Sequence, residues 1–120
     1  SILNNLGLAL LQSALEMDSK GDPMSSSQYE ASIMALRQGA KVDSENNTLL
    51  LNLAHALLVS GRAEKALGVL NVLRARDSSN VEVENALGAG LIQLGRFEEA
   101  RSVLSAYAED TVVLANLELI

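Results

Sequence analysis

The chain has no cysteine and no tryptophan, and only one proline, one histidine and one phenylalanine among its 120 residues. Without cysteine there are no disulfides, no thiolate metal ligands and no cysteine nucleophile, and the redox compartment stays open. Aromatics amount to 2 % while apolar residues reach 48 %. Leu and Ala supply that share and β-branched residues are few, a balance that favours helix over strand. Positive charge is also scarce. Nine Lys and Arg, scattered along the chain, stand against fifteen Asp and Glu, for a net charge of −6. Nucleic acid needs a basic face, so it is excluded as a partner, and anionic membrane surfaces fit poorly. No apolar run approaches the roughly 18 residues of a membrane span. The stretch 49–59, "LLLNLAHALLV", has the length of a buried core helix.

Catalytic and metal-binding patterns are missing as well. His55 is the sole histidine, and no other strong ligand shares its helix face, so zinc is excluded. Residues 18–30 resemble a calcium loop only faintly, with Lys20, Pro23 and Tyr29 where a ligand, a glycine and the closing glutamate are required. The carboxylates Glu98/Glu99 and Glu82/Glu84 point apart on helices and make no catalytic pair. Gly7, Gly39, Gly88 and Gly90 fall within helical periods and build no phosphate loop. The residues point to no enzyme and to no cofactor.

What is present is repetition. "SGRAEKA" at 60–66 returns as "LGRFEEA" at 94–100, an offset of 34 residues. Laying 47–80 over 81–114 aligns Leu53 with Leu87, Leu57 with Leu91, Gly61 with Gly95, Ala66 with Ala100 and Leu70 with Leu104. The shared residues fall at three- and four-residue steps on either side of a glycine, the pattern of two amphipathic helices around a tight turn. Gly61 and Gly95 supply the turn, with the positive φ that a β-carbon penalises. Ser79 with Glu82 reads as a capping box for a helix near Val81, and Asn46 or Asn47 caps the helix ahead of Leu49. One such hairpin cannot bury its apolar face alone, so hairpins stack.

This period, with Leu53-Ala54, Ala56, Gly61, Ala66 and Leu70 in one unit and Leu87-Gly88, Gly90, Gly95, Ala100 and Leu104 in the next, resembles the tetratricopeptide repeat (TPR). The resemblance is firm over 47–108. It departs from the family where aromatics are usual, at Leu50, Leu57, Glu84 and Leu91, where Ala is usual, at Leu73 and Tyr107, and where Pro is usual, at Ser78. It implies an all-α fold, a right-handed α-solenoid of about three TPR helix pairs plus a terminal helix. The units are a single TPR domain over 1–120: a first repeat at 1–46, a second at 47–80, a third at 81–110, and the start of a further or capping helix at 111–120. In the first repeat Leu6-Gly7 carries the large-then-small signature and Ala31 the place of Ala66. The extra length between them predicts an exposed loop insertion at 17–27, with Ser27 and Glu30 capping the helix that follows. Asp110 is the N-cap ahead of 111–120.

The resemblance also implies a concave groove lined by the first helix of each pair. Its places fall on Asn4, Asn5, Leu8, Leu11 and Gln12; on Thr48, Leu51, Asn52, His55, Leu58 and Val59; and on Glu82, Asn85, Ala86, Ala89, Ile92 and Gln93. The candidate partner-binding set is Asn4, Leu8, Leu11, Leu51, Asn52, His55, Leu58, Val59, Asn85, Ala89, Ile92 and Gln93. Asn52 matches the central asparagine of the family's carboxylate-clamping members, but Asn4, Leu8, Glu82 and Ala86 stand where that clamp needs its other polar and cationic groups. An apolar peptide or helix suits the groove better, with amides serving its polar groups.

The implied function is a non-enzymatic interaction module: an adaptor, assembly factor or chaperone. In its Leu/Ala-rich, aromatic-poor style the chain is similar to bacterial TPR proteins of secretion and pilus assembly, including the Tad type. The alternatives are a self-associating scaffold, a homo-oligomer joined through 111–120, or a regulatory segment of a larger protein. A start at Ser1 fits a processed or trimmed chain. The compartment stays open between the cytoplasm and, for a processed bacterial assembly protein, the periplasm.

Overall fold

Besides the first helix, which Ser1 caps through the Asn4 N–H, three helices begin behind a short polar side chain that captures free amides of the first turn. Asn46 accepts from the Leu49 N–H at 3.0 Å; Asn80 accepts from Glu82 and Val83 at 3.0 and 3.3 Å; Asp110 accepts from Val112 and Val113 at 2.9 and 3.3 Å. In the computed structural model, which describes residues 1–120, these caps open α3 (Asn47–Val59), α5 (Val81–Gln93) and α7 (Thr111–Leu117). The remaining helices are α1 (Ile2–Ser19), α2 (Ser25–Val42), α4 (Ala63–Arg76) and α6 (Phe97–Leu104), the last followed by one 3-10 turn at Ser105–Tyr107. There is no strand. The pairs α1/α2, α3/α4 and α5/α6 are hairpins, each packed on the next, and α7 closes the row against α5 and α6. The fold is thus an all-α solenoid of helix pairs with a terminal helix.

Each hairpin turns through a left-handed glycine: φ is +71° at Gly21, +81° at Gly61 and +74° at Gly95. At Gly61 the Arg62 N–H donates to Leu57 O and the Gly61 N–H to Leu58 O. The same two bonds recur as Arg96 to Leu91 and Gly95 to Ile92, and as Asp22 to Met17 and Gly21 to Asp18. This double closure satisfies the last carbonyls of the first helix and needs a residue without a β-carbon at the turn.

Two residues of each second helix press onto the first. Ala66 and Ala100 are fully buried, and so are Leu70 and Leu104 four residues on. Burying such a leucine contributes about 1.5–3 kcal/mol. In the first hairpin the matching pair is Ser32 and Leu36, both at 0 % exposure. The expected residue, Ala31, is rotated to a half-buried position. Ser32 takes the small-residue place because its hydroxyl is satisfied, donating to Gly7 O at 2.8 Å. Gly7 is needed there, since a β-carbon would lie 2.5 Å from Leu36 Cγ.

The expected loop at 17–27 is mostly helix. α1 continues to Ser19 and α2 begins at Ser25, so the connection narrows to 20–24, and both helices run 18 residues against 13 and 14 in the next hairpin. The added turns bond across: Tyr29 Oη donates to Asp18 Oδ2 at 2.9 Å and Gln28 Nε2 to Ser13 Oγ at 3.2 Å. Two caps also differ from expectation. Ser27 lies inside α2, whose N-cap is Met24. Ser79 turns back to Asp77 and leaves the capping of α5 to Asn80.

Candidate functional site

The first helices α3 and α5 lie side by side, and a groove of about 420 Å³ runs between them. From α3 it takes Leu51, Asn52, His55, Leu58 and Val59, and from α5 Asn85, Ala89 and Gln93. These eight belong to the set read from the sequence. Ala86 and Glu82 line it too, although that set leaves them out. Glu82 is its one carboxylate, and no Lys or Arg is among its lining residues. Toward the helix N-termini a further hollow of about 330 Å³ shares Leu51, Asn52 and Glu82 and adds Thr48 and Asn80.

Four of the expected groove residues sit elsewhere. Leu11, only 5 % exposed, belongs to the core beneath α1. Leu8 is exposed on α1 away from this groove, and Ile92 is half-buried against the core. Asn4 reaches the groove indirectly, through Asn52. Leu58 lines the groove, yet at 7 % exposure it serves mainly as core. The reason is common to all of these. In an end hairpin, or on the edge of a stripe, a residue's place along the helix does not fix which neighbour covers it.

The groove floor is held by amides. Asn52 Nδ2 donates to Asn4 Oδ1 at 3.0 Å, tying α3 to α1. Gln93 Nε2 donates to the Leu58 carbonyl at 3.0 Å, tying α5 to α3. Asn116 Nδ2 donates to Asn85 Oδ1 at 2.8 Å, tying α7 to α5. Asn116 has no part in the sequence-based set. It was findable, because it stands six residues after the cap Asp110 as Asn52 stands six after Asn46. At the central α3–α5 junction the corresponding places hold Leu51 and Ala86. The junctions on either side of the groove are therefore closed by Asn–Asn bridges, whereas at the α3–α5 junction the same places are apolar and only Gln93 crosses, to the Leu58 carbonyl.

His55 is exposed, no cluster of three or more His, Asp or Glu is placed to hold a metal ion, and no helix is long and apolar enough to cross a membrane.

A sequence profile described as tetratricopeptide repeat matches residues 24–90. Among solved structures, the first TPR domain of the human RPAP3 protein, determined by NMR, superposes with a TM-score of 0.68 over 96 % of this chain and 89 % of that one. At 20 % identity that similarity concerns the fold. No curated protein matches the chain significantly.

Proposed function

The chain belongs to the tetratricopeptide repeat family, and we propose that it is a non-enzymatic interaction module holding a partner segment in the α3–α5 groove. The observation that carries this is the break in the amide bridges at Leu51 and Ala86. There the groove offers aliphatic surface flanked by Asn52 and Asn85, which suits an apolar side chain whose neighbouring backbone needs amide partners. The support for a finer role, as an adaptor, assembly factor or chaperone in bacterial secretion or pilus assembly, is composition alone: the Leu/Ala-rich, aromatic-poor style.

The test is capture of a partner by the intact chain and by Leu51→Glu and Ala89→Glu variants. A carboxylate at either place would have to be desolvated with no cation to meet it. Binding should be lost while helicity by circular dichroism is kept. If both variants fold and still bind, the groove is not the site. Leu58→Glu is unsuited to this test, because that side chain is core.

A self-associating scaffold is a second reading, favoured by Val112 and Leu119 at 62 % and 67 % exposure on the terminal segment. Val112→Glu is its test, by sedimentation. Val113 is fully buried and would report on folding instead.

A further inference from the structure

On the side of α3 away from the groove lies a second cleft, between α2 and α4, of about 360 Å³. Leu50, Leu53 and Leu57 of α3 form its floor, and Val69 and Val72 of α4 one wall. At 100° per residue these leucines point well away from Leu51, His55 and Leu58, so the two clefts open on different faces of α3. Arg37 of α2 and Lys65 of α4 also line it. Neither takes part in the molecule's ion pairs, which join Arg62 to Glu30, Arg74 to Glu84, Arg96 to Glu99 and Arg101 to Glu98. In a chain of net charge −6, two unpaired cations on one apolar cleft reverse the local sign.

The equivalent cleft one hairpin later, between α4 and α6, lacks this character. Glu84 stands where Leu50 stands and is paired with Arg74, and Arg96 is paired with Glu99 on the rim. That cleft carries carboxylates of its own, Glu64 and Glu99, beside its two arginines.

Gly68 sits on the wall common to both clefts. Its φ is not positive, and a β-carbon there would meet nothing within 4 Å. Neither turn geometry nor internal packing asks for glycine, and glycine inside a helix is less stable than alanine. What it leaves is bare backbone beside Val69 and Val72, open to close approach from outside.

We propose that the α2–α4 cleft docks an acidic amphipathic segment of a partner protein. Its aliphatic side chains would lie on Leu50, Val69 and Val72, over the buried Leu53 and Leu57, and its Asp or Glu residues would meet Arg37 and Lys65. Apolar area supplies affinity and the two cations select for acidic flanks.

The probe is a synthetic amphipathic helix with a leucine face bordered by glutamates, titrated into the isotope-labelled chain. Amide shifts are expected at Arg37, Gly68 and Val72 and not at His55 or Gln93, with affinity falling as salt is added. The same peptide with lysines in place of glutamates, and the Arg37→Glu/Lys65→Glu variant with the original peptide, should each bind about tenfold more weakly or worse. Gly68→Ala should raise the melting temperature yet weaken binding. Equal binding of the two peptides, shifts confined to the α3–α5 groove, no binding, or insensitivity to the charge reversal would overturn the proposal. So would self-association of the wild-type chain that the charge reversal dissolves, since a second copy would then be the occupant.

Discussion

Asn52 and Asn4 bridge α3 to α1 through their side-chain amides at 3.0 Å, and Asn116 repeats the bridge to Asn85 at 2.8 Å. A net hydrogen bond of this kind contributes about 0.5–1.5 kcal/mol. Asn52→Ala and Asn116→Ala should each lower stability by about that amount in urea titration. Completing the row with Leu51→Asn and Ala86→Asn together should keep the chain helical and remove the apolar middle of the groove. Partner capture should then be lost. Capture that survives the double substitution would detach function from this gap.

Gly88 lies under Leu104 as Gly7 lies under Leu36. An added β-carbon at Gly88 would stand 2.8 Å from Leu104 Cδ1 and closer still to its other branch atoms. Gly88→Ala should therefore cost about 1–3 kcal/mol through overpacking, despite alanine's better helix propensity. A Gly88→Ala protein melting at or above the wild type would show that α5 and α6 can part without penalty.

Glu84 is buried at 2 % exposure. One oxygen accepts from Arg74 Nε at 2.9 Å, and the other, Oε2, has no partner. A half-satisfied buried carboxylate is a poor source of stability, and replacing such a pair with packed apolar atoms is often neutral or favourable. Leu50 holds the same place in the preceding repeat. Glu84→Leu should melt at or above the wild-type temperature, whereas Arg74→Ala should melt lower because it leaves the charge unpaired. Equal losses in the two variants would refute this ranking.

Tyr29 is held above the usual phenol pKa, first by burial and then by its hydrogen bond to Asp18 and the charge of that carboxylate. The folded chain thus prefers the neutral phenol. The associated stability is fully present below the unfolded value of about 10 and is lost as pH rises through the folded value. Urea titrations between about pH 8 and 11 should show a steeper fall for the wild type than for Tyr29→Phe, which has no phenol to ionise. Parallel profiles would remove Tyr29 as a cause of alkaline unfolding.

The parts that were legible in the sequence are those decided by near neighbours. Gly61 and Gly95 turn a hairpin because the backbone itself requires positive φ there, and Asp110 caps because its carboxylate reaches amides two and three residues on. The small residues Ala54, Gly88, Ala66 and Ala100 announce close helix contact because nothing larger fits, and the period then follows by repetition. The first repeat was less legible. A slip of one residue turns a side chain by about 100°, and serine gives no sign by itself that its hydroxyl will be satisfied. Only the approach of Gly7 O makes Ser32, and not Ala31, the buried partner. Likewise 17–27 carries proline, glycine and serines that read as loop. Tyr29 and Gln28 extend the helices by reaching Asp18 and Ser13 on the other helix of the hairpin, contacts that exist only after the pair has closed. The groove was half of each kind. Its α3 and α5 members follow from the repeat, but the bridges that shape it join residues 48 and 31 positions apart. Which places pair and which stay open is therefore settled by the stacking of hairpins, since each amide finds its partner on a helix that the chain brings alongside only in the folded state.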